Sequence, residues 1–595
     1  MVWGIENSRE LYGLKGVLNS QLFNINEKGQ LVIRIKDREI PVIELLEKHD
    51  LPGANIRVLP WIGLMIDYIA GLFNKHIKNY SYRGEFKPVY PLKVNHNDMV
   101  LTSIKRYGEK YGWGWEAGTL PEIHKALSYK TRGLFVVDGV KDLKGLEKVV
   151  ADKEAYSLAI IDIESIKEAK LLDKIRGKLG EKIWVGLRIR PMFRGESIWS
   201  SSSGLTSKFG LPLSSIYKIL DEQPWIRDKI IMLHFHYGSQ IVTRKALEKM
   251  FTEMINTYAV LKSELLPSLK YIDTGGGLAF DYESSRSGSA YSPDYSFEEY
   301  VETMISIFRE KSREYGVEEP GIVFESGRAI VAPHRISVAK VVDIRPYISD
   351  LTTDVELVDK IRSAKTIKEL SDIARESENI INRLLSYTDN IDLKRRELLE
   401  GLIETLYREI SRKAKDLYLE DKEALRHLEE NIRMGRPLYK FLVSPSKRFV
   451  LSFSIFSILP DYVILNQYFQ PVPCTKLDKK PDVLAAISDI TCDSMGEISE
   501  YISSLPEGFN EIFTEKDNRL LGIPGKRVIL RGVPLHLPGN GENYYVAFLH
   551  TGAYQDPLSM SHNMINDYPE IIIDEDDKGD INISYKDSSR DDYPL

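Results

Sequence analysis

The chain has 595 residues, 43% hydrophobic and 28% charged, with 80 basic against 87 acidic side chains. That length exceeds one compact core and implies two or three domains. A net charge of −7 with the two signs well mixed argues against a nucleic-acid partner, and no uncharged apolar run is long enough to span a bilayer.

Met1 to Gly16 carries Glu6, Arg9 and Glu10 and lacks the apolar stretch of a signal peptide. Only Cys474 and Cys492 occur as cysteines, too few for a disulfide framework and in keeping with a reducing, cytoplasmic setting. Residues 1–65 are expected to contribute strands to a β domain farther along, because Gln21–Val42 is strand-rich and Leu31–Ile35 alternates.

Residues 66–345 hold eight short apolar runs: Pro88–Val94, Gly112–Glu116, Leu134–Asp138, Leu158–Ile163, Ile183–Arg190, Ile230–His236, Tyr271–Gly275 and Ile322–Glu325. Segments of helical spacing, such as Ala246, Met250, Met254 and Tyr258, separate most of them. Strand alternating with helix predicts a parallel sheet, and a count of eight predicts a (β/α)8 barrel of the α/β class. The runs end in Lys93, Glu116, Asp138, Asp162, Arg190, His236, Gly275-Gly276-Gly277 and Glu325-Ser326-Gly327-Arg328. Ionisable groups thus collect at the C-terminal mouth, where barrel enzymes build their sites.

Residues 346–438 are charge-dense. Their apolar positions, Ile367, Leu370, Ile373, Ala374, Ile380, Ile381, Leu384, Leu385, then Leu402, Ile403, Leu406, Ile410 and Ala414, keep helical spacing. A helical hairpin or small bundle with a packing or assembly role is expected there. Residues 439–595 return to short strands, at Phe449–Phe456, Tyr462–Leu465, Leu484–Ile490, Arg527–Leu530 and Tyr544–Leu549, and predict a C-terminal β domain. The acidic end, Asp574 to Asp592, is expected to be a solvated tail.

Four barrel features suit a phosphorylated aromatic cofactor. Lys93 at a strand end offers an amine for a Schiff base, although a lysine there could merely close the strand. Gly275-Gly276-Gly277 can present bare backbone N–H groups to a phosphate, or form only a tight turn. Gly327-Arg328 adds a close-approach glycine and a guanidinium. Glu325 is placed to face a pyridine nitrogen, with a salt bridge to Arg328 as the plainer alternative. His234 and His236 share a strand face. No third ligand follows at metal-binding spacing, and an imidazole stacked on a cofactor ring fits His236 better. In Ser488–Ser494, Cys492 beside Asp493 offers a proton donor next to a cation anchor, or else a buried structural thiol.

The order and content of eight segments resemble the biosynthetic arginine decarboxylases, a pyridoxal 5'-phosphate (PLP) family of fold type III with an alanine-racemase-like barrel. They are YPLKVN at 90–95, WEAG at 115–118, SKFGL at 207–211, HFHYGSQ at 234–240, DTGGGLAFDY at 273–282, FESGRAI at 324–330, SDITCDS at 488–494 and TGAYQD at 551–556. The resemblance implies decarboxylation of L-arginine to agmatine and CO2, a first step toward polyamines such as spermidine. It implies that Lys93 carries PLP, that His236 stacks on its ring and that Glu325 pairs with the ring nitrogen. Ser239, Gly275, Gly276, Gly277, Gly327, Arg328 and Tyr554 would line the phosphate, with Asp273–Tyr282 bordering the substrate. Cys492 would protonate Cα and Asp493 would anchor the guanidinium, both reaching the site from a neighbouring subunit. The active unit would then be a homodimer or higher, a tetramer included.

Magnesium is also associated with the family, but no ligand cluster for it is evident in the sequence. Four positions depart from the family pattern: Met495 stands where many relatives have an acid, His96 replaces a common glutamine, and Trp113 and Trp115 make the second strand aromatic. Ornithine, lysine or, against the charge of Asp493, diaminopimelate are the alternative substrates. A racemase of this fold would place an arginine where Glu325 stands, and a homologue without activity would have lost Lys93 or Cys492.

Overall fold

The computed structural model describes residues 3–193, 204, 207–346, 356–385, 393–420, 447–504, 527–565 and 568–587. Eight strands, Phe86–Pro91, Gly114–Ala117, Leu134–Val137, Leu158–Ile163, Ile183–Ile189, Ile230–Phe235, Tyr271–Asp273 and Gly321–Phe324, pair in sequence order into a closed barrel. Every pairing is parallel, and Val323 opposite Lys87 closes the ring. Parallel neighbours require a crossover, and helices such as Asp98–Gly108, Leu120–Tyr129, Arg244–Glu264 and Phe297–Tyr315 supply it. Their starts are written in the sequence: Asn97 and Thr243 cap the first and third of these, and capping boxes Thr119/Glu122 and Ser296/Glu299 open the other two.

The barrel interior shows how period two makes a site. Val89, Val136, Ile160, Met232 and Val323 form an apolar layer inside the barrel, distinct from the larger core between barrel and helices. Two residues on, the same faces present Asp138, Asp162, His234 and Glu325, all buried. The packed lower layer therefore hands over to charge within one step along each strand. Gly186 belongs to this design: a Cβ there would lie 1.8 Å from the Asp162 carboxylate.

After the barrel, Arg335–Pro346 forms the spine of a ten-stranded sheet, pairing with Gly53–Val58, Lys447–Leu451 and Tyr545–Phe548. The residues before the barrel do add a strand to this sheet, but it is Gly53–Val58. Phe23–Ile25, Leu31–Ile35 and Arg38–Pro41 instead form their own three-stranded sheet. Their register is set by local antiparallel pairing, and Leu31, Ile33 and Ile35 bury their alternate face in the core shared with the larger sheet.

Two other expectations are corrected. Residues Pro460–Leu465 are a helix, with Pro460 at its first turn, in place of the strand expected at Tyr462–Leu465. The acidic end folds back as an antiparallel hairpin, Glu570–Glu575 with Ile581–Lys586, because Ile571 and Ile573 bury against the β domain and Glu570 pairs with the buried Arg57. Residues beyond 587 and the expected start of the β domain at 439–446 lie outside the described residues.

The insertion contains helices Glu356–Ser363, Ile367–Leu385 and Leu393–Glu420 around a core of its own that includes Ile361, Leu370, Ala374, Leu406 and Ile410. A buried ionic junction ties barrel to β domain. Asp556 accepts two hydrogen bonds from Arg57 (2.8 and 3.1 Å), one from Arg335 (2.6 Å) and one from Asn95 (2.7 Å). Although burial opposes ionisation, the two guanidiniums hold this carboxyl far below its ordinary range. Among the described residues, no helix is long and apolar enough to cross a membrane.

Candidate active site

The chain turns once through Leu92–Val94 after the first barrel strand, so Lys93 stands just past the strand end rather than within it. Its Nζ lies 3.2 Å from Glu116 and 3.9 Å from Glu325. The side chain keeps 43% exposure toward the mouth, while both carboxylates are buried. Burial disfavours the Lys93 ammonium, but Glu116, Glu325 and Asp138 outweigh it and raise its pKa. Burial, with Glu325 and Asp138, pushes Glu116 up to about 8 against the pull of Lys93. Lys93 and Glu116 thus form a coupled pair beside the mouth.

Beneath Lys93 lies a line of buried charge. His234 Nδ1 is 2.7 Å from Asp162, and His234 Nε2 is 3.5 Å from Glu325 Oε1. Arg188 pairs with Asp138 and sits 3.3 Å from Glu164. Arg190 ends this apolar run in the sequence. The inward residue is Arg188, in phase with Gly186, and the strand stops at Ile189. Glu325 Oε1 is buried with no hydrogen-bond partner. A buried acceptor left in that state is costly unless something arrives to satisfy it, and a protonated ring nitrogen does so.

His236 packs over the glycine turn, where Gly276 N–H donates to its Nδ1 at 3.4 Å. Burial first, then Lys93 and Arg188, keep its pKa well below the ordinary value, so the imidazole is neutral and suited to stacking. Gly275 (φ +61°) and Gly277 (φ +107°) occupy left-handed backbone. A Cβ at Gly275 would come within 2.6 Å of both His236 and the Phe235 carbonyl. At Gly327 it would press on Val94 and Pro91, at 2.8 and 2.9 Å. Gly327 opens the helix Gly327–Val331, preceded by Ser326 at φ +42°.

Arg328 donates to Ser239 Oγ at 3.0 Å and to Tyr282 OH at 3.1 Å, and its guanidinium lies 4.6 Å over the Tyr554 ring. Tyr554 N–H donates to the Val94 carbonyl at 2.8 Å. Ser239, Arg328 and Tyr554 are therefore brought together from three separate segments. With the glycine turn beside His236, they make a cradle suited to a phosphate. The set fits pyridoxal phosphate: an amine, a buried carboxylate with a spare acceptor, a neutral imidazole and a glycine and arginine cradle.

Cys492 and Asp493 are elsewhere. Cys492 is exposed, which removes the buried-thiol alternative, whereas Cys474 is buried. Asn563 Nδ2 donates to Cys492 Sγ at 3.4 Å, and His562 lies 3.8 Å from Asp493. Both residues line a surface cleft of about 840 Å³ in the β domain, together with Asp343, Arg345 and Arg448.

The histidine pair does find a third group, which sequence spacing did not reveal. Ligand atoms of His234, His236 and Glu325 lie within 4.8 Å of one another, as do those of Asp138, Asp162 and His234. Glu325 reaches the histidines across the barrel from a strand far away in sequence, which no local spacing could signal. These groups already serve one another and the cofactor cradle.

A family model described as "Pyridoxal-dependent decarboxylase, pyridoxal binding domain" matches residues 70–332. The biosynthetic arginine decarboxylase of Phocaeicola vulgatus is 29% identical over 97% of this chain and 89% of its own length. That of Geobacter sulfurreducens is 30% identical over 95% and 87%. Among solved structures, the biosynthetic arginine decarboxylase of Campylobacter jejuni superposes with a TM-score of 0.72 at 26% identity, covering 96% of this chain and 88% of that one. A diaminopimelate decarboxylase from M. jannaschii, at 15% identity and a TM-score of 0.59 over 97% and 96%, shares the fold. With the pyridoxal-binding barrel and the near-full-length relatives in agreement, the chain belongs to the fold-type III family of pyridoxal-phosphate-dependent amino-acid decarboxylases that includes the biosynthetic arginine decarboxylases.

Proposed function

We propose that this enzyme converts L-arginine to agmatine and CO2, as an early step toward polyamines, in the cytoplasm. The observation that carries a cationic substrate is the placement of Asp493 beside Cys492 on an exposed loop, which by itself does not separate arginine from lysine or ornithine. There a carboxylate can take the cationic end of a substrate whose Cα faces the thiol. Support comes from the near-full-length relatives, which are named biosynthetic arginine decarboxylases.

Bound at Lys93, pyridoxal phosphate supplies an electron sink for the bond between Cα and the departing carboxylate. The residues of this chain do the rest. Ser239, the N–H groups of Gly275–Gly277, Gly327, Arg328 and Tyr554 hold the phosphate. His236 packs its neutral ring against the cofactor face, and Glu325 holds a proton at the ring nitrogen. Glu116, 3.2 Å from the Lys93 amine, would hold a proton beside it. Cys492 then delivers a proton to Cα, and Asp493 fixes the guanidinium. The exposure of Cys492 and Asp493 suits a site completed by a second copy, so the working unit is a homodimer or a larger assembly such as a tetramer.

Ornithine, lysine and diaminopimelate are the competing substrates. Magnesium, expected from the family, is assigned no residues. The test is CO2 release from L-arginine, L-ornithine, L-lysine and meso-diaminopimelate, with the amine products identified by mass. Agmatine from arginine with strong preference supports the assignment. Preference for another amino acid moves it, with Met495 the first position to restore to an acid.

A further inference from the structure

His234 is the one member of the His-Phe-His motif left without a task by the chemistry above. It is 1% exposed and lies at the centre of the barrel's charged layer. Asp162 faces its Nδ1 at 2.7 Å and Asp138 at 3.7 Å, and Glu325 Oε1 faces its Nε2 at 3.5 Å. Asp273 lies across the strand pairing, opposite His234 itself. On the cationic side are Lys93 and Arg188, and the His236 ring stands edge-on at 6.4 Å. Neither His234 Nε2 nor Glu325 Oε1 has a hydrogen-bond partner, though both are buried.

We infer that His234 is a positioning residue: anchored to Asp162 through Nδ1, it presents Nε2 to Glu325 and keeps that carboxylate ionised and aimed at the ring nitrogen of the cofactor. This rests on the role proposed for Glu325, not on the identity of the substrate. Burial, with Asp273 and Asp138, raises the pKa of Glu325 on balance, and Lys93 and His234 pull against that rise. Lys93 would not hold that post once its amine carries the cofactor. His234 is fixed on a strand between carboxylates. Burial lowers its pKa, but Asp273, Asp138 and Asp162 outweigh this and push it up to about 10, so it stays an imidazolium at neutral pH. The cation behind Glu325 is therefore permanent, and Asp162 fixes the ring orientation as outer partners orient functional histidines elsewhere.

The two ends of the ring can be separated by substitution. His234→Asn retains an amide near Nδ1 for Asp162 and withdraws the donor from Glu325. His234→Gln keeps a donor at the Nε2 end. Each variant, in the full chain, is titrated by visible absorbance with pyridoxal phosphate and with its 1-deaza analogue, whose ring has C–H in place of nitrogen. Apo melting temperatures control for folding. The expected result is a dissociation constant for pyridoxal phosphate raised about tenfold in His234→Asn, the scale of one charge-assisted hydrogen bond. His234→Gln should recover part of that loss, and the deaza analogue should bind wild type and His234→Asn alike. Equal losses with both cofactors, or no difference between the Asn and Gln variants, overturn the inference. Glu325→Gln is measured alongside. If it too is indifferent to the ring nitrogen, the role of Glu325 itself falls and the inference with it. Sensitivity of Glu325→Gln without sensitivity of His234→Asn sinks the inference alone.

Discussion

The barrel mouth and the Cys492 loop, to which the proposed function assigns the two halves of one reaction, are built in opposite ways. In the mouth every charge is opposed and all but Lys93 are buried: Glu116 and Glu325 against Lys93, Asp162 against His234, Asp138 against Arg188. On the loop, Cys492 is exposed and its neighbours are an asparagine amide at 3.4 Å and a histidine beside Asp493. The first arrangement needs a cofactor to satisfy the acceptor it leaves open. The second needs a surface to close over it. A preorganised buried site fixes charge before the reaction begins, whereas an exposed thiol gains direction only on assembly.

The sharpest way to break this contrast is at Lys93. Lys93→Ala should bring turnover below detection and remove the visible absorbance of the bound cofactor, while the barrel folds as before, since the side chain is partly open to the mouth. Retained turnover would sink the attachment of the cofactor to Lys93. Cys492→Ala comes next. Loss of a positioned proton donor lowers rate by about 10²–10⁴-fold. Some cycles should then end with the proton delivered to the cofactor instead of Cα, so that hydrolysis releases an aldehyde, detectable by mass. An unchanged rate and product removes Cys492 from the chemistry. Mixing the Lys93→Ala and Cys492→Ala proteins tests whether the halves come from different copies. Activity well above either variant alone is expected, and none would place the two residues in one chain's site.

The chemistry of the mouth was legible because period two acts locally. Val136 to Asp138, Ile160 to Asp162 and Val323 to Glu325 are each an apolar residue followed two places on by an acid, and any reader of the strand can see which face the acid shares. Contacts that depend on closure were not legible. Arg188 rather than Arg190 points inward because the strand runs in phase with Gly186. Glu325 meets His234 only because the barrel brings two distant strands together. In the β domain, patterning misled twice. Tyr462-Val463-Ile464-Leu465 reads as strand by composition, yet Pro460 starts a helix there. The alternation Ile571, Ile573 was masked by neighbouring acids, although Gly579 at φ +85° marks the hairpin turn.

A smaller effect is expected at the junction on which the mouth depends. Asp556→Ala leaves Arg57 and Arg335 buried without their shared carboxylate, and removing one partner of a buried ion pair costs about 3–5 kcal/mol. Denaturant unfolding of the apo protein should report that loss. The Asn95 contact beside Lys93 goes with it, so cofactor affinity should fall too. A loss under about 1 kcal/mol would mean that the arginines find other partners or water.

The subtlest expectation concerns acid. His550 donates through Nε2 to Asn19 Oδ1 at 2.6 Å, and its Nδ1 is buried without a partner. Burial lowers its pKa from 6.5 to about 3. The folded state therefore resists a proton that the unfolded state accepts below about 6.5. The stability this neutral ring contributes is complete above that value and is lost progressively as pH falls toward 3. One such group gives a slope of about 1.4 kcal/mol per pH unit in that window. His334, lowered to about 3 by burial and by Arg57, adds a second. His550→Gln keeps a donor for Asn19 but cannot titrate, so the slope of unfolding free energy between pH 4.5 and 6 should drop by one proton's worth. An unchanged slope would mean that His550 is already protonated in the folded protein.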